Sequence, residues 1–228
     1  MTEPAPTLEH SDEPRATVKQ TLGGLAIAYV GTAAWFVVAA MLRVSDLVTS
    51  PNGRQIIGLS WAWLLTAALL LYVVRVERRS LSSIGFRGTR WTAYALTPAW
   101  WIVNVITSLA FVQLFLRNAD TSAGEALLHL PVGTKIAIVI TAGVTEEVLF
   151  RSYAIERITE VTGRLWLAGA ITAAMFVAFH MPYFGVVPGL ARLPGAILLT
   201  VVYIRRRSLG PVIVLHAMFD LPLVFVDS

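Results

Sequence analysis

Apolar residues fall in seven stretches along this chain, and the charged residues gather between them. A hydrocarbon slab of about 30 Å takes about 20 helical residues to cross. Uncharged runs near that length occupy residues 22–42, 56–74 and 93–116. A fourth run, 136–155, is interrupted by Glu146, Glu147 and Arg151, and a fifth runs from 165 to 180, just ahead of Pro182. Proline lacks the backbone N–H a helix needs and clashes with the preceding turn, so the fifth helix is expected to stop there. The sixth run, 186–204, contains Pro188, Arg192 and Pro194, a pattern that predicts a broken helix or a re-entrant loop. The seventh, 211–226, holds Pro222 as a kink. The pattern predicts an all-α, polytopic transmembrane bundle of about seven spans. No connection is long enough to fold separately, so residues 21–228 are read as a single transmembrane domain.

Composition sharpens that reading. Of the 228 residues only 14% are charged and 56% are hydrophobic, against roughly 25% charged in soluble domains; lipid in place of water accounts for the difference. A net charge of +4 raises the question of nucleic acid, but the bases sit in short loops, where they face an anionic leaflet. No nucleic-acid partner is expected. With seven spans, one face carries Arg15, Lys19, Arg75, Arg78, Arg79, Arg87, Arg90, Arg157, Arg164 and Arg205 to Arg207, twelve bases in all. The other face has four: Arg43, Arg54, Arg117 and Lys135. The positive-inside rule puts the N-terminus in the cytoplasm. Residues 1–20, with four acids and three prolines, are expected to be a disordered cytoplasmic tail. There is no cysteine, so thiolate chemistry is excluded. Nothing in the sequence sets an oligomeric state.

Ionisable groups under lipid are costly and mark function by default, at about 2.5–3.5 kcal/mol each even on the permissive scale. The first three runs have none, whereas the fourth, fifth and seventh hold Glu146, Glu147, Arg151, His180, His216 and Asp220. At about 100° per residue, Glu147 and Arg151 share a face, while Glu146 lies about 140° from Arg151. Glu147 is therefore expected to pair with Arg151. Glu146 is left with no local cation, a carboxylate poised for proton transfer. His180 stands one turn from Phe176, and His216 one turn from Asp220. Each fragment alone is also what ordinary helix packing would produce. Of the remaining candidates, His10 and His129 read as solvated, Arg192 as an interfacial anchor, and tryptophans such as Trp61 and Trp63 as belt and packing residues.

The ordered set Glu146-Glu147-Val-Leu-Phe-Arg151, Phe176-Val-Ala-Phe-His180 and His216-Ala-Met-Phe-Asp220 resembles the CAAX protease and bacteriocin-processing (Abi) family of intramembrane glutamic endopeptidases. Ser80-Leu-Ser-Ser-Ile-Gly-Phe-Arg87 resembles a stretch found upstream of that core, so the likeness covers about residues 80–223. The resemblance implies peptide-bond hydrolysis within a bilayer, on a peptide or membrane-protein substrate, with no metal and no cofactor. In that reading Glu146 with His180 activates water, and His216 supported by Asp220 stabilises the oxyanion. Glu147, Arg151 and Phe176 support the site. The family often has Asn where Asp220 stands; an amide donates a hydrogen bond and a carboxylate does not, which points Asp220 toward orienting His216. A bacterial plasma membrane is the expected location.

Rival readings are a non-catalytic scaffold or immunity-type protein, a zinc-dependent membrane hydrolase using two histidines and a carboxylate, and an ion-coupled transporter. Against zinc stand the lack of HExxH and the nearness of Arg151. Depth poses one further test. At about 1.5 Å per residue, Glu146 lies about 15 Å and His180 about 22 Å from the cytoplasmic ends of their helices. The two meet at one level if the fourth helix continues toward Glu160.

Overall fold

The structure, a computed structural model, describes residues 14–44, 48–117 and 125–226. Among these, all regular structure is helical. Seven rods follow in chain order. α1 joins Val18–Leu25, Ala26–Val30 and Gly31–Val44 without a break, α2 is Pro51–Arg75, and α3 joins Trp91–Ala95 to Thr97–Phe115. α4 runs through Val132–Thr141, Ala142–Tyr153 and Ala154–Thr162, and α5 is Leu165–Phe184. After a short turn of helix, Val186–Leu190, come α6, Leu193–Arg206, and α7, Leu209–Asp220 continued by Pro222–Phe225.

Local chemistry sets these ends. Thr17 opens α1 with a reciprocal cap to Gln20. Ser50 accepts from the Gly53 N–H, and Pro51 takes the first position of α2, where its missing donor costs nothing. Gly163, at φ 69°, ends α4 in the left-handed region that glycine tolerates best.

Five rods are long and apolar enough to cross a bilayer: those beginning at Val18, Pro51, Trp91, Leu165 and Val186. The chain is an integral membrane protein. In the most apolar windows of α1 and α3 only 6% of residues are buried, against 33% in α5 and 39% in Val186–Arg206. The first and third helices therefore face lipid and the fifth and sixth lie inside. α4 falls short of a candidate span through its charges and α7 through its length, yet these two carry five of the six ionisable groups that stand out in the sequence. α4 packs on α2, α5 and α7, and Val148, Ile155, Leu199, Tyr203 and Leu215 close the apolar core around it.

The outcomes for the sequence expectations are particular. The expected tail lies outside the described residues through residue 13, as does His10, and helix begins at Val18. α4 runs on past 155 to Thr162, the extension that brings the two depths together. The sixth segment is broken at Ala191-Arg192. α5 carries Pro182 within its last turn and ends at Gly185.

A second feature was not expected: Ala142–Tyr153 is wound as a π-helix. Such wide turns are rare, short and frequent at functional sites, and here one spans both glutamates and Arg151. A smaller π stretch in α1, Ala26–Val30, lies alongside, with the Tyr29 ring 5.6 Å from that of Phe150.

At the arginine-rich end the connection after α2 forms a strap. Its 3₁₀ turn, Leu81–Ile84, ends at Gly85 with φ 87°. Arg157, fully buried, donates through Nε and Nη2 to Glu77 Oε2 at 2.9 and 2.6 Å and through Nη2 to Ser83 Oγ at 2.9 Å. Tyr153 donates to the other Glu77 oxygen at 2.7 Å. Ser152 donates to the Ile84 carbonyl, the Leu209 N–H to the Gly85 carbonyl at 2.9 Å, and Glu156 accepts from Tyr203 and Arg207. Buried ionic groups survive only when paired and bonded. Here they tie α2, α4, α6 and α7 at one end, which leaves the site to form nearer the other.

Candidate active site

The wide turns of α4 place Glu146 and Glu147 side by side with different surroundings. Glu147 and Arg151 are fully buried and joined by a 2.9 Å bond from Nη1 to Oε1. This is the pairing that helical spacing predicts. The Arg151 guanidinium also lies 3.8 Å from the centroid of the Phe176 ring, a cation–π contact that links α4 to α5. Its Nε and Nη2 have no hydrogen-bond partner among the described residues, so that contact and Glu147 together hold the charge.

Glu147 has a further partner that the sequence did not indicate. Its Oε1 lies 2.6 Å from His216 Nδ1, reaching across from α4 to α7. Nδ1–H is the donor, since an ionised carboxylate only accepts. His216 Nε2 is thereby turned toward Glu146 Oε2, at 3.8 Å, and Asp220 Oδ2, at 3.5 Å. The one-turn spacing of His216 and Asp220 does bring them together, but Glu147 makes the shorter contact and sets the ring.

On α5, His180 Nδ1 lies 2.7 Å from the Phe176 carbonyl. A carbonyl only accepts, so Nδ1–H is the donor and Nε2 is the nitrogen turned to the cavity. Nε2 lies 3.9 Å from Glu146 Oε2. The Phe176 ring steadies the arrangement, 4.3 Å from the His180 ring and edge-on to His216 at 6.0 Å. Glu146 Oε2 therefore stands between two imidazole nitrogens from two other helices. Separations of 3.8 and 3.9 Å are too long for direct hydrogen bonds and leave the nitrogens open to a shared water.

Glu146, His180, His216 and Asp220 all line one cavity of about 510 Å³, a size that suits a ligand site. Exposure sorts the groups: the Glu146 and Asp220 side chains are each 28% accessible, whereas Glu147 and Arg151 are sealed. Trp35, Phe36 and Trp61 from α1 and α2 form much of the apolar wall. Two further wall residues go beyond the sequence reading. Asn104, from the lipid-facing α3, lines the cavity. Arg192, expected at an interface, also stands on the wall. His129 is exposed. Among the described residues no group of three or more His, Cys, Asp or Glu side chains is placed to hold a metal ion.

Comparison with known proteins gives one finding. Residues 128–222 match the sequence model of a family described as type II CAAX prenyl endopeptidase, Rce1-like. The matched stretch holds all three motifs, α4 to α6, α7 as far as Pro222, and every wall residue discussed except those from α1 to α3, and it bears out the family resemblance read from the motifs. No curated protein and no solved structure matches the chain.

Proposed function

We propose that this protein is an intramembrane endopeptidase that hydrolyses a peptide bond with water activated by Glu146 and His180. One observation carries the reading: Glu146 Oε2 faces His180 Nε2 at 3.9 Å and His216 Nε2 at 3.8 Å on the wall of a single cavity. The family match at 128–222 supports a CAAX-type protease. Water held between Glu146 and His180 gives up a proton as its oxygen attacks the scissile carbonyl. His216, gripped at Nδ1 by Glu147, presents Nε2–H as an imidazolium to the oxyanion that forms. Asp220 orients that ring. The proton taken from water passes to the leaving amine as the tetrahedral intermediate collapses, so the step balances with no further reactant.

The substrate class is a peptide or membrane protein reached within the bilayer. The twelve-to-four distribution of bases supports a cytoplasmic N-terminus, and we place the protein in a bacterial plasma membrane. The test compares membrane proteins cleaved by wild type with those cleaved by Glu146→Gln and His180→Ala. General-base catalysis contributes about 10²–10⁴-fold, so both variants should lose cleavage by at least that range while keeping their fold. Full biological function in both variants would instead establish the scaffold reading. Loss of activity in strong chelators, restored by zinc, would establish the metal hydrolase.

A further inference from the structure

Arg192 is a charged group in the active cavity that the mechanism above does not use. It sits at the break before α6, where its own carbonyl accepts from the Ala196 N–H at 2.9 Å. The guanidinium carbon lies 4.0 Å from the centroid of the Phe184 ring at the end of α5. This stacking holds the plane of the side chain and leaves its edge to the cavity it lines. Nε is buried and has no hydrogen-bond partner among the described residues. Asp220 and Glu146 act on it electrostatically across the cavity, yet neither closes an ion pair with it. Asn104 lines the same cavity.

A guanidinium offers five donors in a rigid fork shaped for a carboxylate. Held by an aromatic face and with a buried Nε that has no bond, it is placed to donate to an anion; a neutral peptide would leave that edge unpaired. From this, and resting on the protease reading, we propose that Arg192 is a specificity residue that binds a carboxylate of the peptide substrate within the active cavity. The carboxylate comes either from the substrate's free C-terminus or from an acidic side chain near the scissile bond.

The test uses the full chain reconstituted in liposomes and three randomised pools of quenched decapeptides. One pool has a free C-terminus and no acidic residue, one is C-terminally amidated with no acidic residue, and one is amidated with a single internal Glu. Binding is read from tryptophan fluorescence in the Glu146→Gln background, where Trp35 and Trp61 report from the wall; cleavage is read in wild type. One of the two carboxylate pools should bind at least about tenfold tighter than the neutral pool, as a charge-assisted bond implies. That preference should vanish in Arg192→Gln and be only partly kept in Arg192→Lys, which keeps charge without the fork. Cleavage of the favoured pool by Arg192→Gln should show a raised KM with kcat little changed. The favoured pool identifies the carboxylate's source. Equal binding of all three pools overturns the proposal while leaving hydrolysis intact. Selective binding with no cleavage by wild type supports the Arg192 site and overturns the protease reading. A role for Arg192 in packing alone would lower thermal stability and weaken all pools equally, which also overturns it.

Discussion

Glu147 can be separated from Arg151 in a way that divides its two duties. Both side chains are fully buried, and one carboxylate oxygen serves both Arg151 at 2.9 Å and His216 at 2.6 Å. Glu147→Ala strands a buried guanidinium, a change that costs about 3–5 kcal/mol. For a chain of this size, each kcal/mol moves the melting temperature by about 2–4 °C, so unfolding in detergent should come about 6–20 °C early. Glu147→Gln keeps an acceptor for the Arg151 and His216 donors but removes the counter-charge, so the guanidinium stays bonded yet uncompensated and the loss should be smaller than in Glu147→Ala. Pairing Glu147→Ala with Arg151→Met removes the stranded charge, and stability should return to within about 1–2 kcal/mol of wild type. Peptide cleavage should not return, because His216 has still lost the group that turns Nε2 toward Glu146. Misplacement of a reacting group by about 1 Å costs about 10²-fold, and a deficit of that order should persist in kcat. Tryptophan-fluorescence melting and cleavage by the same proteoliposome samples give both numbers. Wild-type stability in Glu147→Ala would refute the energetic argument, and full kcat in the double variant would refute the positioning of His216.

Asp220→Asn should keep activity within a few-fold, because an amide can still orient His216 across the 3.5 Å separation, whereas Asp220→Ala should lose about tenfold in kcat; peptide cleavage assays distinguish them. Arg157→Ala leaves Glu77 buried without its cation and should destabilise by about 3–5 kcal/mol, read as an early melt with the KM of the surviving fraction unchanged. Gly24→Ala would put a methyl 1.9 Å from the hydroxyl of Tyr153, a buried ring already bonded to Glu77. Such overpacking costs about 1–3 kcal/mol and should lower the melting temperature, while Gly133→Ala, where nothing lies within 4 Å, should not.

The fold and the membership of the site were legible because lipid makes polarity rare. In a chain where 56% of residues are hydrophobic, six ionisable groups in three late segments stand out with no structural knowledge. The Glu147–Arg151 bond followed from helical spacing, and spacing within one helix carries that information. The Glu147–His216 bond did not follow, because it joins residues 69 apart on helices whose relative rotation no periodicity encodes. Nor did the π winding of Ala142–Tyr153, since an even 100° per residue was the premise of the wheel. The position of Arg192 at a break between hydrophobic runs predicts an interfacial anchor; only the turn of that break carries it inward onto Phe184. Asn104 does not stand out in the sequence, because an amide carries no charge to set it apart from the other polar residues of α3.

The π winding also makes the length of one segment an invariant of the molecule. Residues 148–153 of this winding lie between two sets of fixed points: Glu146 and Glu147 must meet α7, and Arg157 must meet Glu77 on the far side. Removing a single residue inside the stretch would swing everything beyond it by about 100°, carrying either the acids off the histidines or the arginine off its carboxylate. A hydropathy profile would hardly register that deletion, and neither would a count of motif residues. Slippage by one position is thus the gentlest edit to the sequence and among the harshest to the protein, so the spacer deserves to be read as closely as the side chains it separates.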